Sequence, residues 1–259
     1  MLIDTHCHLD AAEFDPDRDA VYARSRAAGV AAIVVPAVEF ANFDAVRQAC
    51  VDYPGCFAAL GMHPMYIDRH RPEHLAALRV AIEKQRPVAV GEIGLDFFVP
   101  DLDPATQEYY FVEQLKVARE FDLPVLLHIR RANDQVLKQL RRYKVMGGIA
   151  HAFNGSRQQA EEFLKLNFKL GFGGAMTYTR ALNLRRLAVD LPLDAIVLET
   201  DAPDLPPVSI HRQRNSPEYL PEIAQALADL RGMEVDDVAA ATTRNAETLL
   251  GLRNVAKTA

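Results

Sequence analysis

"LPVLLHIR", residues 123–130, is a run of branched apolar residues that ends in a histidine and an arginine. It does not alternate between apolar and polar positions. A continuous run of this length suits a strand covered on both faces, as in a parallel sheet. Seven similar runs recur along the chain. They are "LIDTH" (2–6), "AAIVVPA" (31–37), "CFAALGM" (56–62), "PVAVGEI" (87–93), "MGGIAHA" (146–152), "FKLGFG" (168–173) and "AIVLETD" (195–201), and the quoted stretch supplies a strand at 123–129.

Segments with helical spacing lie between them, at 17–29, 40–53, 72–85, 106–122, 134–143, 156–166, 180–191 and 216–232. Ser156 and Gln159 make a capping-box pair at the start of one. Gly29 and Gly232 stand where helices should stop. A ninth helical segment follows at 235–252. Eight strand–helix units in strict alternation predict a TIM (β/α)8 barrel with an additional C-terminal helix. A doubly wound open sheet is the competing arrangement, because alternation alone does not establish closure. No repeat or linker divides the chain, so 1–259 reads as one domain.

The composition is ordinary for a globular protein, with 49% hydrophobic and 25% charged residues. The formal charge of −6 argues against a general nucleic-acid coat protein. It leaves room for an enzyme that grips phosphates locally. Cys7, Cys50 and Cys56 form no CxxC pair and read as reduced thiols of a cytoplasmic protein. The opening "MLIDTHCHLD" has neither the basic nor the apolar region of a secretion signal. No apolar run approaches the ~18 residues of a membrane span. A monomer is the expectation, since such a barrel needs no partner to bury its core.

In a (β/α) barrel the C-terminal strand ends form the active-site face, and there the polar residues collect. His6 and His8 end the first strand and His63 follows the third. Glu92 lies in the fourth, and His128 and Arg130 end the fifth. His151 ends the sixth, and Glu199 and Asp201 end the eighth. Five of the eight histidines fall at strand ends, while His70, His74 and His211 lie in helices or loops. Residues two apart on a strand point the same way. His6 and His8 can therefore hold one metal ion together, with Cys7 turned away as a small buried hydrophobe. Glu92 sits in an apolar strand, where an unpaired carboxylate is costly, so it needs a cationic partner. His128 and His151 read as further ligands. Asp201, nearer the mouth, reads as a ligand and catalytic base. Glu199 either supports a ligand or is structural, and Asp4 either orients a ligand or sits at the barrel floor. Arg130 either meets an anion or is solvated, as Arg212 and Arg214 are expected to be. His63 reads as a substrate or phosphate contact, or as loop packing.

The ordered motifs "IDTHCHLD", "GMHP", "GEIGLD", "LHIR", "HAFNG" and "LETDAP" resemble the TatD family of metal-dependent hydrolases, and "TTRNAETLLGL" resembles its C-terminal helix. The resemblance spans essentially the whole chain. It implies a TIM barrel of the amidohydrolase-like superfamily. It implies that His6 and His8 bind a first divalent ion, completed by Asp201, which also activates water. Glu92 would bridge two ions, and His128 and His151 would bind the second. His63 and Arg130 would lie by a substrate phosphate. The activity implied is that of a magnesium-dependent deoxyribonuclease acting from the 3′ end of nucleic acid, with RNA a further substrate. An ester or amide hydrolase such as a D-aminoacyl-tRNA deacylase is the alternative. Mg²⁺ or Mn²⁺ is expected from the resemblance, whereas four histidines with two carboxylates also suit Zn²⁺. The chain departs from the pattern after "GEIGLD", where "FFVPDLD" replaces a common tyrosine. "HAFNG" is a second departure, in place of the more usual Cys and Thr or Ser around the same His and Gly. Both bear on substrate preference.

Overall fold

The computed structural model describes residues 1–252. Eight parallel strands pair in sequence order. They are β1 (Leu2–Asp4), β2 (Val30–Pro36), β3 (Cys56–Leu60), β4 (Ala89–Asp96), β5 (Val125–Arg130), β6 (Gly148–Ala150), β7 (Phe168–Phe172) and β8 (Ile196–Leu198). Each is followed by a helix: α1 (Arg18–Ala27), α2 (Phe43–Asp52), α3 (Pro72–Lys84), α4 (Pro104–Glu120), α5 (Asn133–Tyr143), α6 (Arg157–Lys165), α7 (Leu182–Asp190) and α8 (Leu220–Arg231). The additional helix α9 (Val235–Leu250) ends the described chain. The Ser156–Gln159 capping box forms as expected at α6, with Gln159 N–H donating to Ser156 Oγ at 3.1 Å. No helix among the described residues is long and apolar enough to cross a membrane.

The barrel closes between β1 and β8, which excludes the open sheet. Thr5 N–H and Thr5 Oγ1–H both donate to Leu198 O, at 3.1 and 3.0 Å. Beyond them Asp201 N–H donates to His6 O and His8 N–H to Ala202 O, each at 2.8 Å. Asp4, fully buried, adds a side-chain bolt. Its carboxylate accepts from Thr200 N–H (3.0 Å), Thr200 Oγ1–H (2.5 Å) and His6 N–H (3.2 Å). From the opposite end, α9 ties the two sides of the seam: Thr243 Oγ1 donates to Met1 O, just before β1, and Asn245 Nδ2 to Ile196 O of β8.

Successive strand residues belong to two apolar layers, as a pleated strand requires. Ile33, Val35, Val125 and Leu127 pack outward among helix residues such as Phe111 and Leu115. Ala32, Val34, Ala59, Leu126, Ile149 and Val197 form the inner layer, joined by Leu249 and Leu250 of α9. His128 follows Leu126 by two and so shares the inner side.

Several strand boundaries differ from expectation by a few residues, and three of them position the mouth. The first and eighth strands stop at Asp4 and Leu198, short of 6 and 201. The seam consumes the backbone groups there, so His6, His8, Glu199 and Asp201 stand on the turns beyond. The fourth strand runs on to Asp96. Its pairing with β5 slips one residue between Val90 and Ile93, at Glu92, whose N–H donates instead to Ala37 O at 2.9 Å. This is a bulge that re-aims one side chain.

The bolt can be tested directly. Thr200→Val removes a donor from a buried carboxylate and is expected to lower stability by about 1–3 kcal/mol. Thr200→Ser should retain most of it. Urea unfolding of the metal-free protein reads both; equal losses in the two variants would refute the bolt.

Candidate metal centre

Glu92 is the centre of the mouth. It is 2% exposed, and its two oxygens face different histidines. Oε2 lies 3.1 Å from His6 Nε2 and 3.8 Å from His8 Nε2. Oε1 lies 3.3 Å from His128 Nδ1 and 3.5 Å from His63 Nε2. Asp201 Oδ1 is 3.8 Å from both His6 and His8 Nε2 and 3.4 Å from His151 Nε2. His6 and His151 stack, with ring centroids 3.6 Å apart. Ligand-type atoms converge within 4.8 Å in three overlapping sets: His6, His8 and Asp201; His6, Glu92 and His151; His63, Glu92 and His128. The expected residues therefore meet at one mouth. His128 groups with His63 and Glu92, and His151 with His6 and Glu92.

Outer partners decide which nitrogen is free on His128 and on His63. Asp96 Oδ2 accepts from His128 Nε2–H at 2.9 Å. A neutral His128 then carries its lone pair on Nδ1, aimed at Glu92 Oε1. Such a carboxylate–histidine pair is the usual support of a metal ligand. His63 is set the other way. Met65 N–H donates to His63 Nδ1 at 3.1 Å, so the neutral ring keeps its proton on Nε2 and offers a donor to the mouth. Glu199 Oε1 lies 3.0 Å from His151 Nδ1 and accepts from Ala152 N–H at 2.5 Å. That leaves His151 Nε2 toward Asp201. Gly171 of β7 makes room for Glu199, because a Cβ there would collide with its carboxylate.

Several lone pairs thus face one another in a buried space, and Glu92 Oε1 has no hydrogen-bond partner among the described residues. Only a cation between them relieves the repulsion. Protons play that part when metal is absent. Burial opposes charge on His151, but Glu199 and Asp201 outweigh it and hold the ring well above its ordinary value. Burial likewise opposes charge on His128, and the neighbouring Asp96 and Glu92 carboxylates raise it. Burial would raise Glu92, yet the surrounding histidines, His6 and His63 first, hold it well below the usual carboxylate range. His63, buried and beside His128, is pushed down to about 4 and is neutral. The donor set of imidazoles and carboxylates fits divalent cations.

Arg130 ends β5 two residues after His128, and its guanidinium lies 3.7 Å from the Phe98 ring centroid. Asp4 belongs to the seam, where burial pushes its carboxyl up to about 7. Cys7 is fully buried. Arg214 pairs with Asp17 at 2.7 and 2.8 Å. Asp96 was not singled out in the sequence. An acid ending an apolar strand inside "GEIGLD" is the signal that marks it.

Known proteins resemble this chain along nearly its whole length. The family model described as TatD related DNase matches residues 3–251. The chain is 42% identical over 254 residues to the uncharacterized metal-dependent hydrolase YjjV of Escherichia coli K12, covering 97% of this chain and 98% of that one. The crystal structure of YjjV superposes with a TM-score of 0.92, covering 96% and 97% of the two chains. A relative named 3′-5′ ssDNA/RNA exonuclease TatD, from Klebsiella pneumoniae strain 342, is 34% identical over 258 residues, 97% of this chain and 98% of that one. The chain belongs to the TatD-related DNase family of metal-dependent hydrolases.

Proposed function

We propose that the protein is a two-metal phosphodiesterase that shortens single-stranded DNA, and RNA, from the 3′ end. The observation that carries this reading is Glu92, whose two oxygens serve two histidine groups. His6, His8, Asp201 and Glu92 Oε2 would hold one cation. Glu92 Oε1 and His128 would hold another, with His151 as the remaining donor. The relative named as a 3′-5′ exonuclease supports the polarity. Mg²⁺ or Mn²⁺ is the working ion, and Zn²⁺ a further occupant.

Bound divalent cations supply Lewis acidity and make water more acidic. The chain does the rest. Asp201 Oδ1 faces the mouth with its side chain 16% exposed, and accepts the proton of the attacking water. Water oxygen bonds to phosphorus while the bond from phosphorus to the 3′ oxygen of the preceding nucleotide breaks. The departing 3′ oxygen takes a proton from solvent, leaving a free hydroxyl and a 5′-mononucleotide. His63 Nε2–H donates to a phosphate oxygen and stays neutral above about pH 4. Arg130 offsets charge on the same group.

Metal-stripped protein is expected to leave a 5′-labelled single strand intact and to shorten it stepwise when Mg²⁺ or Mn²⁺ is returned. No shortening by folded, metal-loaded protein would overturn the reading and make D-aminoacyl-tRNA the next substrate. Asp201→Asn should lower kcat about 10²- to 10⁴-fold, as loss of a general base does. Asp96→Asn leaves His128 poorly oriented and should weaken metal affinity about 10- to 100-fold, measured by metal titration; unchanged affinity would remove Asp96 from the centre.

A further inference from the structure

Phe98 is 43% exposed, although large aromatic side chains are normally covered. It lies in the loop after β4, tied to the catalytic face. Phe98 N–H donates to Asp96 Oδ1 at 2.9 Å, and the other oxygen of that carboxylate holds His128. The ring therefore stands one carboxylate away from a candidate metal ligand. Two arginines from the end of β5 gather on it. The guanidinium carbon of Arg130 is 3.7 Å from the ring centroid and that of Arg131 is 4.6 Å. Neither guanidinium makes an ion pair or hydrogen bond with another described side chain or carbonyl. Arg131 is held there with φ 55, a left-handed conformation uncommon outside glycine.

An exposed aromatic beside two unpaired cations fits neither a structural core nor a surface ion-pair network. It fits a flat π-system carrying a negative charge. Bases stack on aromatic rings and on guanidinium planes, and phosphates take guanidinium donors in pairs. We infer that Phe98, Arg130 and Arg131 form a nucleotide subsite beside the scissile phosphate, stacking an unpaired base and gripping its phosphate. The inference rests on the nuclease reading above and adds how the substrate is chosen. A base stacked here has left its own duplex partner, so the subsite selects single strands.

The test compares a single-stranded DNA oligonucleotide with the same strand carrying abasic sugars at its last two 3′ positions. Both are given to the Mg²⁺-loaded wild type, Phe98→Ala and Phe98→Tyr. The wild type is expected to show a KM about tenfold higher on the abasic strand, in line with one stacked base. Phe98→Ala should raise KM by a similar factor on the ordinary strand and leave the abasic strand unchanged. Phe98→Tyr should behave as wild type. Equal effects of Phe98→Ala on both strands would mean that the ring only props the arginines, and would overturn the stacking role. Cleavage without discrimination by the wild type would overturn the subsite but spare the nuclease. Absence of cleavage of either strand by the wild type would remove both.

Discussion

The hydrogen-bonded seam between the first and last strands is the constraint on which the rest depends. A barrel of eight strands has one closure, and here it joins residues almost 200 positions apart. Closure sets His6 and His8 against Asp201 across two 2.8 Å backbone hydrogen bonds. Asp4 bolts the same seam from beneath through Thr200. Without closure, one half of the candidate ligand set has no reason to meet the other. The terminal helix α9 belongs to this logic as well. It packs on the inner layer and hydrogen-bonds to Met1, just before β1, and to Ile196 of β8, so the last described helix stabilises the start of the chain.

Above the seam, the mouth holds more charge than a buried space tolerates unaided. Glu92, Asp201 and Glu199 bring negative charge among five imidazoles. The outer partners, Asp96 and the Met65 N–H, assign His128 and His63 a fixed tautomer. The result is a group of side chains whose free electron pairs point inward at one another. Such an arrangement is poor protein core and good coordination chemistry. The proposed nuclease function needs such a centre, because a chain of net charge −6 has no general attraction for a polyanion.

Most of this architecture was legible in the sequence, because buried parallel strands write continuous apolar runs and their interruptions mark the mouth. All eight strands and nine helices lie where the runs and helical spacings placed them. What was not legible arises from long-range contacts. The early ends of β1 and β8 follow from seam hydrogen bonds that no local pattern encodes. The slip at Glu92 depends on its N–H donating to the Ala37 carbonyl of a neighbouring turn. The tautomers of His63 and His128 depend on Met65 and Asp96, found by geometry alone. Strand alternation did anticipate that His6 and His8 face together, although the turn after β1 achieves it rather than the pleat. Alternation also puts Glu199 and Asp201, two residues apart, on one side, and they reach the two nitrogens of one ring, His151.

Gly171 has no functional atom, yet it is the wall against which Glu199 rests. Its missing side chain is the space the carboxylate occupies. A methyl group there would not open the core or break a strand. It would shove Glu199 off His151 and let that ring swivel. In a mutational scan scored by turnover, this silent strand position would be indistinguishable from a ligand. The boundary between scaffold and site, clear on a drawing of the barrel, runs here through a single absent carbon.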